Sequence, residues 1–361
     1  MPIETDALII GAGPVGLFQA FQLGLQDVRS HIIDALPYAG GQCIELYADK
    51  PIYDIPGIPV CTGRELVAQL QTQVAPFKPE FHFSRIVSSL AKQDDGRFLV
   101  HTQPASNTTA EGESAFLTKT IFIAAGVGAF QPRTLKLEGA PALEGRQIHY
   151  AFDAHAGYTG KQVFILGDGN QALSAAVDLA IKNQNLPHAQ QSRISVLHRR
   201  DVFTADAPLV ARFRELLSSG ALHFVAGQIT ALQIQGDTLQ AIEILHSDGT
   251  TSPAACDQLL VLQGLSPKLG PIAEWGLPLE RRQLKVDTET FSTDQSGIFA
   301  VGDINTYPGK KKLILCGFHE CVLATFGAIP IIRPEEKVLL QYTTTSSKLH
   351  RLLGVEHPGA M

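Results

Sequence analysis

The sequence predicts an α/β protein with two domains, and three observations support this prediction. The chain has 361 residues, which at roughly 150 residues per domain is enough for about two domains with cores of their own. A strand, a glycine-rich turn, a helix and a second strand follow one another near the N-terminus, and the same order returns about 155 residues later. Charged residues make up 18% and hydrophobic residues 45% of the chain, which excludes disordered and collagen-like proteins.

The charge and the cysteines exclude several functional classes. A formal net charge of −6 argues against a nucleic-acid-binding protein, because such proteins are normally basic. No apolar run reaches the roughly 18 residues that a membrane helix needs, and the N-terminus carries acids where a secretory signal carries bases. The five cysteines are scattered and fit neither a disulfide framework nor a zinc site. We therefore expect a cytoplasmic protein without a metal and without contacts to membrane or nucleic acid.

The first glycine-rich turn fits a dinucleotide-binding fingerprint. Gly11 allows a tight turn, Gly13 lets the backbone approach a pyrophosphate, and Gly16 lets the following helix pack closely. The N-terminus of that helix, which includes Pro14, offers backbone N–H groups to the phosphates. Asp34 ends the next strand, where its carboxylate can accept hydrogen bonds from ribose hydroxyls. The predicted elements here are a strand over 6–10, a helix over 17–25 and a strand over 31–33.

The middle of the chain continues the α/β pattern. Thr62 and Glu65 form a capping box that predicts a helix to about residue 76. Alternating segments then predict strands between 81 and 100, with a turn at 94–96. Further predicted elements are strands over 119–125, 161–166 and 193–197 and a helix over 173–183.

The second glycine-rich turn predicts a second nucleotide site. Gly167, Gly169 and Ala172 repeat the fingerprint with alanine in the third place, and Asn170 lies inside the turn. The following strand ends in His198, Arg199 and Arg200 rather than in an acid. Because guanidinium groups bind phosphate well, this end favours a 2′-phosphate and hence NADPH. A solvated basic edge is the alternative, since an acid follows at 201.

These motifs, in this order and together with Gly40–Gln42 and Gly302-Asp303, resemble the thioredoxin-reductase-like flavoproteins. In that family FAD lies on the first module and NADPH on an inserted second module. Thioredoxin reductases carry Cys-x-x-Cys shortly before the second turn, but the matching residues 150–153 contain no sulfur, so thioredoxin cannot be reduced by that route. The chain is similar to the ferredoxin–NADP⁺ reductases of this type in the stretches 40–47, 53–57, 126–130, 312–320 and 342–346.

The resemblance implies two three-layer, Rossmann-like nucleotide-binding domains, with the NADPH domain (132–262) inserted into a discontinuous FAD domain (1–131 and 263–361). It implies a homodimer that moves electrons between NADPH and ferredoxin or flavodoxin, with no catalytic side chain. Tyr47 is expected to stack on one flavin face, and Tyr342 to cover the other. The implied NADPH residues are Gly167, Gly169, Asn170, Ala172, His198, Arg199 and Arg200. The implied FAD residues are Gly11, Gly13, Pro14, Gly16, Asp34, Gly41, Gln42, Tyr47, Val87, Gly126, Phe130, Asp303, Tyr342, Thr343 and Thr344.

The sequence also allows two alternative functions, and it departs from the family's pattern at one position. One alternative is an NADPH-dependent reductase of quinones, flavins or a disulfide partner, and another is a flavin-binding redox sensor without turnover. Thr204 stands where thioredoxin reductases often carry a further arginine, so weaker discrimination against NADH is expected. Lys310, Lys311 and Lys312 form the densest basic run, which we interpret as a patch that steers an acidic electron-transfer protein. A solvated loop is the simpler interpretation of that run.

Overall fold

The computed structural model describes residues 1–105, 112–154, 156–336, 340 and 342–355. Within it the chain forms two compact units. Unit 1 consists of Met1–Phe130 and Pro267–Met361, and unit 2 consists of Gln131–Ser266. Each unit is built on a largely parallel sheet, so the predicted α/β fold with two nucleotide-binding-type domains is confirmed. The NADPH domain was predicted over residues 132–262, whereas unit 2 covers Gln131–Ser266.

Unit 1 is a mixed sheet with helices. Its helices are α1 (Pro14–Leu25), α2 (Gln42–Glu45), α3 (Gly63–Val74), α7 (Ile314–Ile332) and α8 (Ser347–Leu352), with 3-10 turns at Ala75–Phe77, Gly270–Glu274 and Gly302–Ile304. Its strands are β1 (Ile3–Ile10), β2 (Ser30–Ile33), β3 (Pro51–Ile52), β4 (Cys61–Thr62), β5 (Glu80–His82), β6 (Arg85–Lys92), β7 (Phe98–Pro104), β8 (Ser114–Ile123), β18 (Leu279–Glu280), β19 (Gln283–Lys285), β20 (Ile298–Ala300) and β21 (Asn305–Thr306).

Unit 2 repeats the plan on a smaller scale. Its helices are α4 (Ala140–Leu143), α5 (Asn170–Gln184) and α6 (Ala207–Ser218), with a 3-10 turn at His188–Gln190. Its strands are β10 (Ile148–His149), β11 (Gln162–Leu166), β12 (Arg193–His198), β13 (His223–Gln235), β14 (Thr238–His246), β15 (Thr251–Ala255) and β16 (Gln258–Val261). Two more strands, β9 (Ala129–Pro132) and β17 (Leu265–Lys268), pair with each other at the unit boundaries.

The main sheet of unit 1 brings distant parts of the chain to one edge. Its order is β5-β2-β1-β8-β7-β6, with β20 on β8, and β5, β2, β1, β8 and β20 run parallel. Ile9 and Leu8 are both fully buried but belong to different hydrophobic clusters, because neighbouring strand residues point to opposite faces. The carboxyl ends of these parallel strands therefore form a common edge with a core on either side.

The sheet of unit 2 has the order β10-β16-β11-β12-β13-β14-β15, parallel from β10 to β13 and antiparallel from there on. The N–H of Gly167 donates to the carbonyl of Leu197 over 3.3 Å, and in unit 1 the N–H of Gly11 donates to Ile33 over 2.8 Å. The first glycine of each turn is thus tied to the end of the next strand. This confirms that the two glycine-rich turns occupy equivalent places in two similar folds.

Local signals predicted the helix starts well, with small differences. Thr62 caps α3, and its reciprocal bond with Glu65 is present, as the capping box predicts. Helices α1 and α5 begin earlier than predicted, at Pro14 and Asn170, because the last residues of each glycine-rich turn already belong to the first helical turn. The short α8 in the polar tail was not predicted.

The sequence was predicted to contain no apolar run long enough for a membrane helix, but helix α7 is an exception by length and composition. It has 19 residues and a mean hydropathy of 1.6, so by length and composition alone it could span a membrane. The sequence reading missed it because the helix reaches this length only by including polar residues such as His319 and Glu320. In unit 1 it packs along α1, and Glu320 on it is fully buried among hydrogen-bond donors.

Candidate functional site

A cleft lies at the carboxyl edge of the unit 1 sheet. It holds about 1060 Å³ of space, open solvent included, and its walls are mostly apolar. Such a site is typical for a cofactor, since strand ends in α/β sheets leave a crevice there. Most of the predicted FAD residues line it, namely Gly11, Gly13, Pro14, Asp34, Gly41, Gln42, Tyr47, Val87, Gly126, Phe130 and Asp303.

The glycine-rich turn of unit 1 is held by backbone contacts that no side chain would allow. Gly11 has φ of +110°, and a Cβ there would lie 2.4 Å from the carbonyl oxygen of Ala124. A Cβ on Gly16 would lie 1.9 Å from the carbonyl oxygen of Gly11, so this residue packs the helix rather than lining the cleft. Around Gly13 the space is open, and this residue caps α1 without a side-chain bond from the described part of the chain. The helix end is therefore free to receive phosphate.

Asp34 lies at the end of β2 on the wall of the cleft. Its carboxylate accepts hydrogen bonds from the N–H groups of Ala12, over 2.6 Å, and Leu36, over 2.8 Å. Burial raises the pKa of Asp34 to about 6, although these two bonds act in the opposite direction. Each carboxylate oxygen retains a lone pair, so an ionised Asp34 can still accept a ribose hydroxyl. The residue type and position fit the ribose contact that the sequence predicts.

Three further segments of unit 1 also line the cleft. Gln42 begins α2, and its Nε2 donates to Oδ2 of Asp303 over 3.3 Å. A Cβ on Gly41 would lie 3.2 Å from the Cα of Gly13, and one on Gly126 would lie 3.1 Å from Nε2 of Gln42. Asp303 lies inside the short 3-10 turn Gly302–Ile304.

Tyr47 forms part of the cleft wall and also borders a second, shallower cleft. Its hydroxyl accepts a weak hydrogen bond from Sγ of Cys43 over 3.5 Å. Burial raises the pKa of Tyr47, which therefore stays neutral over the physiological range. A neutral aromatic ring on a cleft wall can stack on a flat ring system. The predicted contact of Tyr47 with the flavin stays a prediction.

The tail residues predicted to contact the flavin lie elsewhere on unit 1. Tyr342, Thr343 and Thr344 are exposed and precede α8, which packs near α1, and they are not among the residues that line the cleft. The carbonyl of Thr343 is bonded to the ring of His350. The role of the tail at the flavin thus stays a prediction.

The sequence reading missed several residues of the cleft. Arg85 and Trp275 line it, as do apolar residues in and next to the 3-10 turn Gly270–Glu274. The indole N–H of Trp275 is buried and has no hydrogen-bond partner among the described residues. An orphaned donor on a cleft wall fits a ligand with acceptor atoms, such as a nucleotide. No local motif marks these residues, because long-range packing alone brings them to the cleft.

The second glycine-rich turn has the same backbone geometry in unit 2. A Cβ on Gly167 would lie 2.2 Å from the carbonyl oxygen of Leu262, and Ala172 is fully buried behind the turn. Gly169 caps α5, and Asn170 is bonded to Asp206 through both ends of its amide. Asn170 therefore closes the neighbouring loop rather than standing free in the turn.

The predicted 2′-phosphate residues lie at the end of β12 in unit 2. Arg199 and Arg200 are exposed, and Nδ1 of His198 lies 2.9 Å from the carbonyl oxygen of Arg200. Asp168 is turned to this end as well, since its Oδ2 lies 4.0 Å from Nε2 of His198 and accepts from the Thr204 hydroxyl. The carboxylate of Asp168 is thus held between the side chains of Thr204 and His198.

The basic run at 310–312 is only partly available for steering. The side chain of Lys310 is 7% exposed and forms an ion pair with Glu320, whose side chain is 0% exposed. The hypothesis that all three lysines steer a partner is therefore wrong for Lys310, because its charge is buried and neutralised. Lys311 and Lys312 are exposed.

One group of metal-ligand residue types comes together that the sequence did not single out. Ligand atoms of His31, Glu80 and His82 lie within 4.8 Å of one another on β2 and β5. The two rings already approach to 2.9 Å between Nδ1 of His31 and Nε2 of His82, and burial lowers the pKa of both. A hydrogen bond between neutral imidazoles accounts for this proximity, so the prediction of a protein without a metal stays as it is.

Comparison with known proteins identifies the family to which this chain belongs. Residues 5–316 match the family model described as pyridine nucleotide-disulphide oxidoreductase. The chain belongs to this family. Ferredoxin–NADP reductase of Albidiferax ferrireducens is 56% identical over 99% of this chain and 98% of its own length. Ferredoxin–NADP reductase 2 of Cupriavidus metallidurans is 52% identical over 99% of this chain and 93% of its own. The resemblance found in the sequence is thereby confirmed.

Solved structures of the family support the fold alone. A thioredoxin reductase from Gloeobacter violaceus superposes with a TM-score of 0.57 at 19% identity, covering 94% of this chain and 98% of the other. Bacillithiol disulfide reductase from Staphylococcus aureus gives a TM-score of 0.52 at 16% identity, covering 91% and 98%.

The first prediction concerns Asp34 and pH. Because its folded pKa of about 6 exceeds the ordinary 3.8, ionisation of Asp34 costs the ligand-free protein stability as pH rises towards 6. Protonation below pH 6 replaces an acceptor by a donor. We therefore expect the apoprotein to bind FAD about tenfold more weakly at pH 5 than at pH 7.5, as fluorescence titration would measure.

The variant D34N is the control, because it cannot ionise. We expect it to bind FAD weakly at both pH values, with little change between them. A pH dependence in D34N equal to that of the wild type would assign the effect to another group.

Proposed function

We propose that this protein is an FAD-dependent ferredoxin–NADP⁺ reductase. The observation that carries this proposal is the combination of two nucleotide turns with different strand ends, Asp34 in unit 1 and Arg199-Arg200 in unit 2. Relatives that are 52–56% identical over 99% of the chain bear the same name. The sequence has no Cys-x-x-Cys, so the dithiol relay of the thioredoxin reductases is not available to it.

The residues of unit 1 fit FAD by their chemistry. The Gly11–Gly16 turn offers bare backbone and a helix N-terminus to a pyrophosphate, and Asp34 offers an acceptor to a ribose. Gln42 and Asp303 offer an amide and a carboxylate elsewhere on the cleft wall, and the Trp275 indole N–H is without a partner in the described chain. When bound, FAD supplies the conversion between two-electron and one-electron transfer.

The protein's own share of the reaction is binding and orientation. The neutral ring of Tyr47 lines the cleft, where it can stack on the flat ring system of the flavin. Arg199 and Arg200 distinguish NADPH from NADH, because a guanidinium forms charge-assisted bonds with a phosphate. No side-chain acid or base is required for hydride transfer, because the hydrogen moves together with both electrons of its bond. We further propose a cytoplasmic homodimer that serves ferredoxin or flavodoxin.

The second prediction tests the proposed activity. We expect the purified yellow protein to reduce cytochrome c with NADPH slowly alone and much faster when ferredoxin is added, because ferredoxin passes single electrons onward. If NADPH bleaches the flavin but ferredoxin adds nothing, the acceptor is a quinone, a free flavin or a disulfide partner instead. Bound FAD that NADPH leaves oxidised would point to a redox sensor.

The third prediction concerns the choice of nucleotide. We expect R199A and R200A each to raise the KM for NADPH roughly tenfold, and the double variant to raise it further, since each loses a charge-assisted bond to phosphate. The KM for NADH should not change. R193A is the matched control, because Arg193 is exposed at the opposite end of the same strand β12. A rise in the KM for both nucleotides would show that these arginines do not read the 2′-phosphate.

The fourth prediction concerns the exposed lysines. Lys312 borders the second cleft beside Tyr47, so a basic surface lies next to the predicted flavin site. We expect K311E/K312E to raise the KM for ferredoxin several-fold and to weaken its salt dependence, because steering by charge is screened by ions. K78E/K92E makes the same charge change at exposed positions of unit 1 that border neither cleft. Equal effects of the two double variants would exclude a local steering patch.

A further inference from the structure

A buried ion pair lies behind the Gly302-Asp303 turn in unit 1. Glu320 is on α7 and Lys310 is in the loop that follows β21, and their side chains are 0% and 7% exposed. Gly302 and Asp303 line the cleft, whereas the two charged side chains lie one layer deeper. A charged pair in a buried layer behind a ligand site is a costly arrangement, because both groups leave water.

The two charges hold the backbone of Gly302 from both sides. Its N–H donates to Oε2 of Glu320 over 2.6 Å, and its carbonyl oxygen accepts from Nζ of Lys310 over 2.9 Å. Gly302 has φ of +80°, a conformation that few other residues adopt. Glycine also has the widest conformational freedom, so the turn depends on outside contacts for its shape. A carboxylate and an ammonium supply those contacts to the two peptide groups around one residue.

The remaining bonds of Glu320 tie the same loop to α7. Its Oε2 also accepts from Nδ2 of Asn305 over 2.8 Å, and its Oε1 accepts from the hydroxyl of Tyr307 over 3.0 Å. Nδ2 of Asn305 also donates to the carbonyl of Ala300, which ends β20. The carboxylate therefore gathers donors from the whole segment between β20 and α7. The ammonium of Lys310 also lies 5.3 Å from the centre of the Tyr307 ring.

We propose that Lys310 and Glu320 are positioning residues for the flavin site, which fix both peptide groups of Gly302 and thereby hold Asp303 against Gln42 and the ligand. This inference rests on the proposed function, since it takes FAD as the ligand of the cleft. The ion pair touches no ligand itself. It acts through the turn, and the trans peptide between Gly302 and Asp303 transmits the restraint because its plane is rigid.

If the Lys310–Glu320 pair only stabilised the fold, FAD affinity would recover together with stability when both charges are removed. Buried ion pairs can often be exchanged for uncharged partners without loss of stability, whereas removing one partner leaves an uncompensated charge. The double variant K310M/E320Q removes both charges and keeps an amide oxygen for the N–H of Gly302. It loses the bond from Lys310 to the carbonyl of Gly302. Stability and turn geometry can therefore be separated in one protein.

The experiment compares E320Q, K310M and K310M/E320Q with the wild type and with K311M, an exposed neighbour that serves as control. FAD affinity of the apoprotein is measured by fluorescence titration, the environment of the bound flavin by its absorption and circular dichroism spectra, and stability by the unfolding midpoint of the apoprotein. We expect both single variants to unfold at lower temperature. The double variant should recover most of the midpoint but still bind FAD about tenfold more weakly, with an altered spectrum.

Two results would overturn the inference. One is an affinity and spectrum that recover together with stability in the double variant, and the other is an unchanged affinity in all three variants. If the double variant does not fold, E320D takes its place, because it keeps the charge but is one methylene too short to reach Gly302 and Lys310 together. A wild-type protein that binds no FAD would instead refute the proposed function, so the two failures are distinguishable.

Discussion

The close approach of backbone to backbone at the end of β1 is the constraint on which the cleft of unit 1 depends. Gly11 turns with its Cα against the carbonyl of Ala124, at the point where β8 also ends, and Gly16 returns to within contact of Gly11. Any side chain at these places would push β1, β8 and α1 apart. The helix end, the acid at the end of β2 and the turn after β20 meet in one cleft only because these strands end together.

The sequence predicted those parts of the site whose constraint is local. Glycines at fixed spacing, the capping box at Thr62 and the acid at the end of β2 each mark a backbone geometry that few other residues allow. Arg85 and Trp275 carry no such mark, because a strand and a 3-10 turn that are far apart in the chain bring them to the cleft. Packing between distant segments has no signature in a single sequence, so these residues of the cleft wall could be found only from the fold.

The burial of Lys310 likewise could not be predicted from the sequence, because it depends on a partner elsewhere in the chain. Three consecutive lysines suggest one solvated patch, but the loop turns the first of them inward to a carboxylate ten residues later on α7. A run of like charges identifies residue types and not their exposure, and burial depends on the partner. The predicted steering patch therefore consists of only two exposed lysines, Lys311 and Lys312, whereas Lys310 is a buried structural cation.

The two nucleotide turns also show how one backbone device can select different ligands. Gly11 and Gly167 are bonded in the same way to the end of the next strand, so this contact does not distinguish between nucleotides. The residues that follow that strand are the predicted difference. Asp34 is partly buried and held by two N–H groups, which suits a neutral hydroxyl, because a buried carboxylate would repel a phosphate. Arg199 and Arg200 are exposed, so they can meet a dianion without first losing a buried partner. The predicted selectivity thus depends chiefly on the residues that follow this strand, which are an acid in unit 1 and two arginines in unit 2.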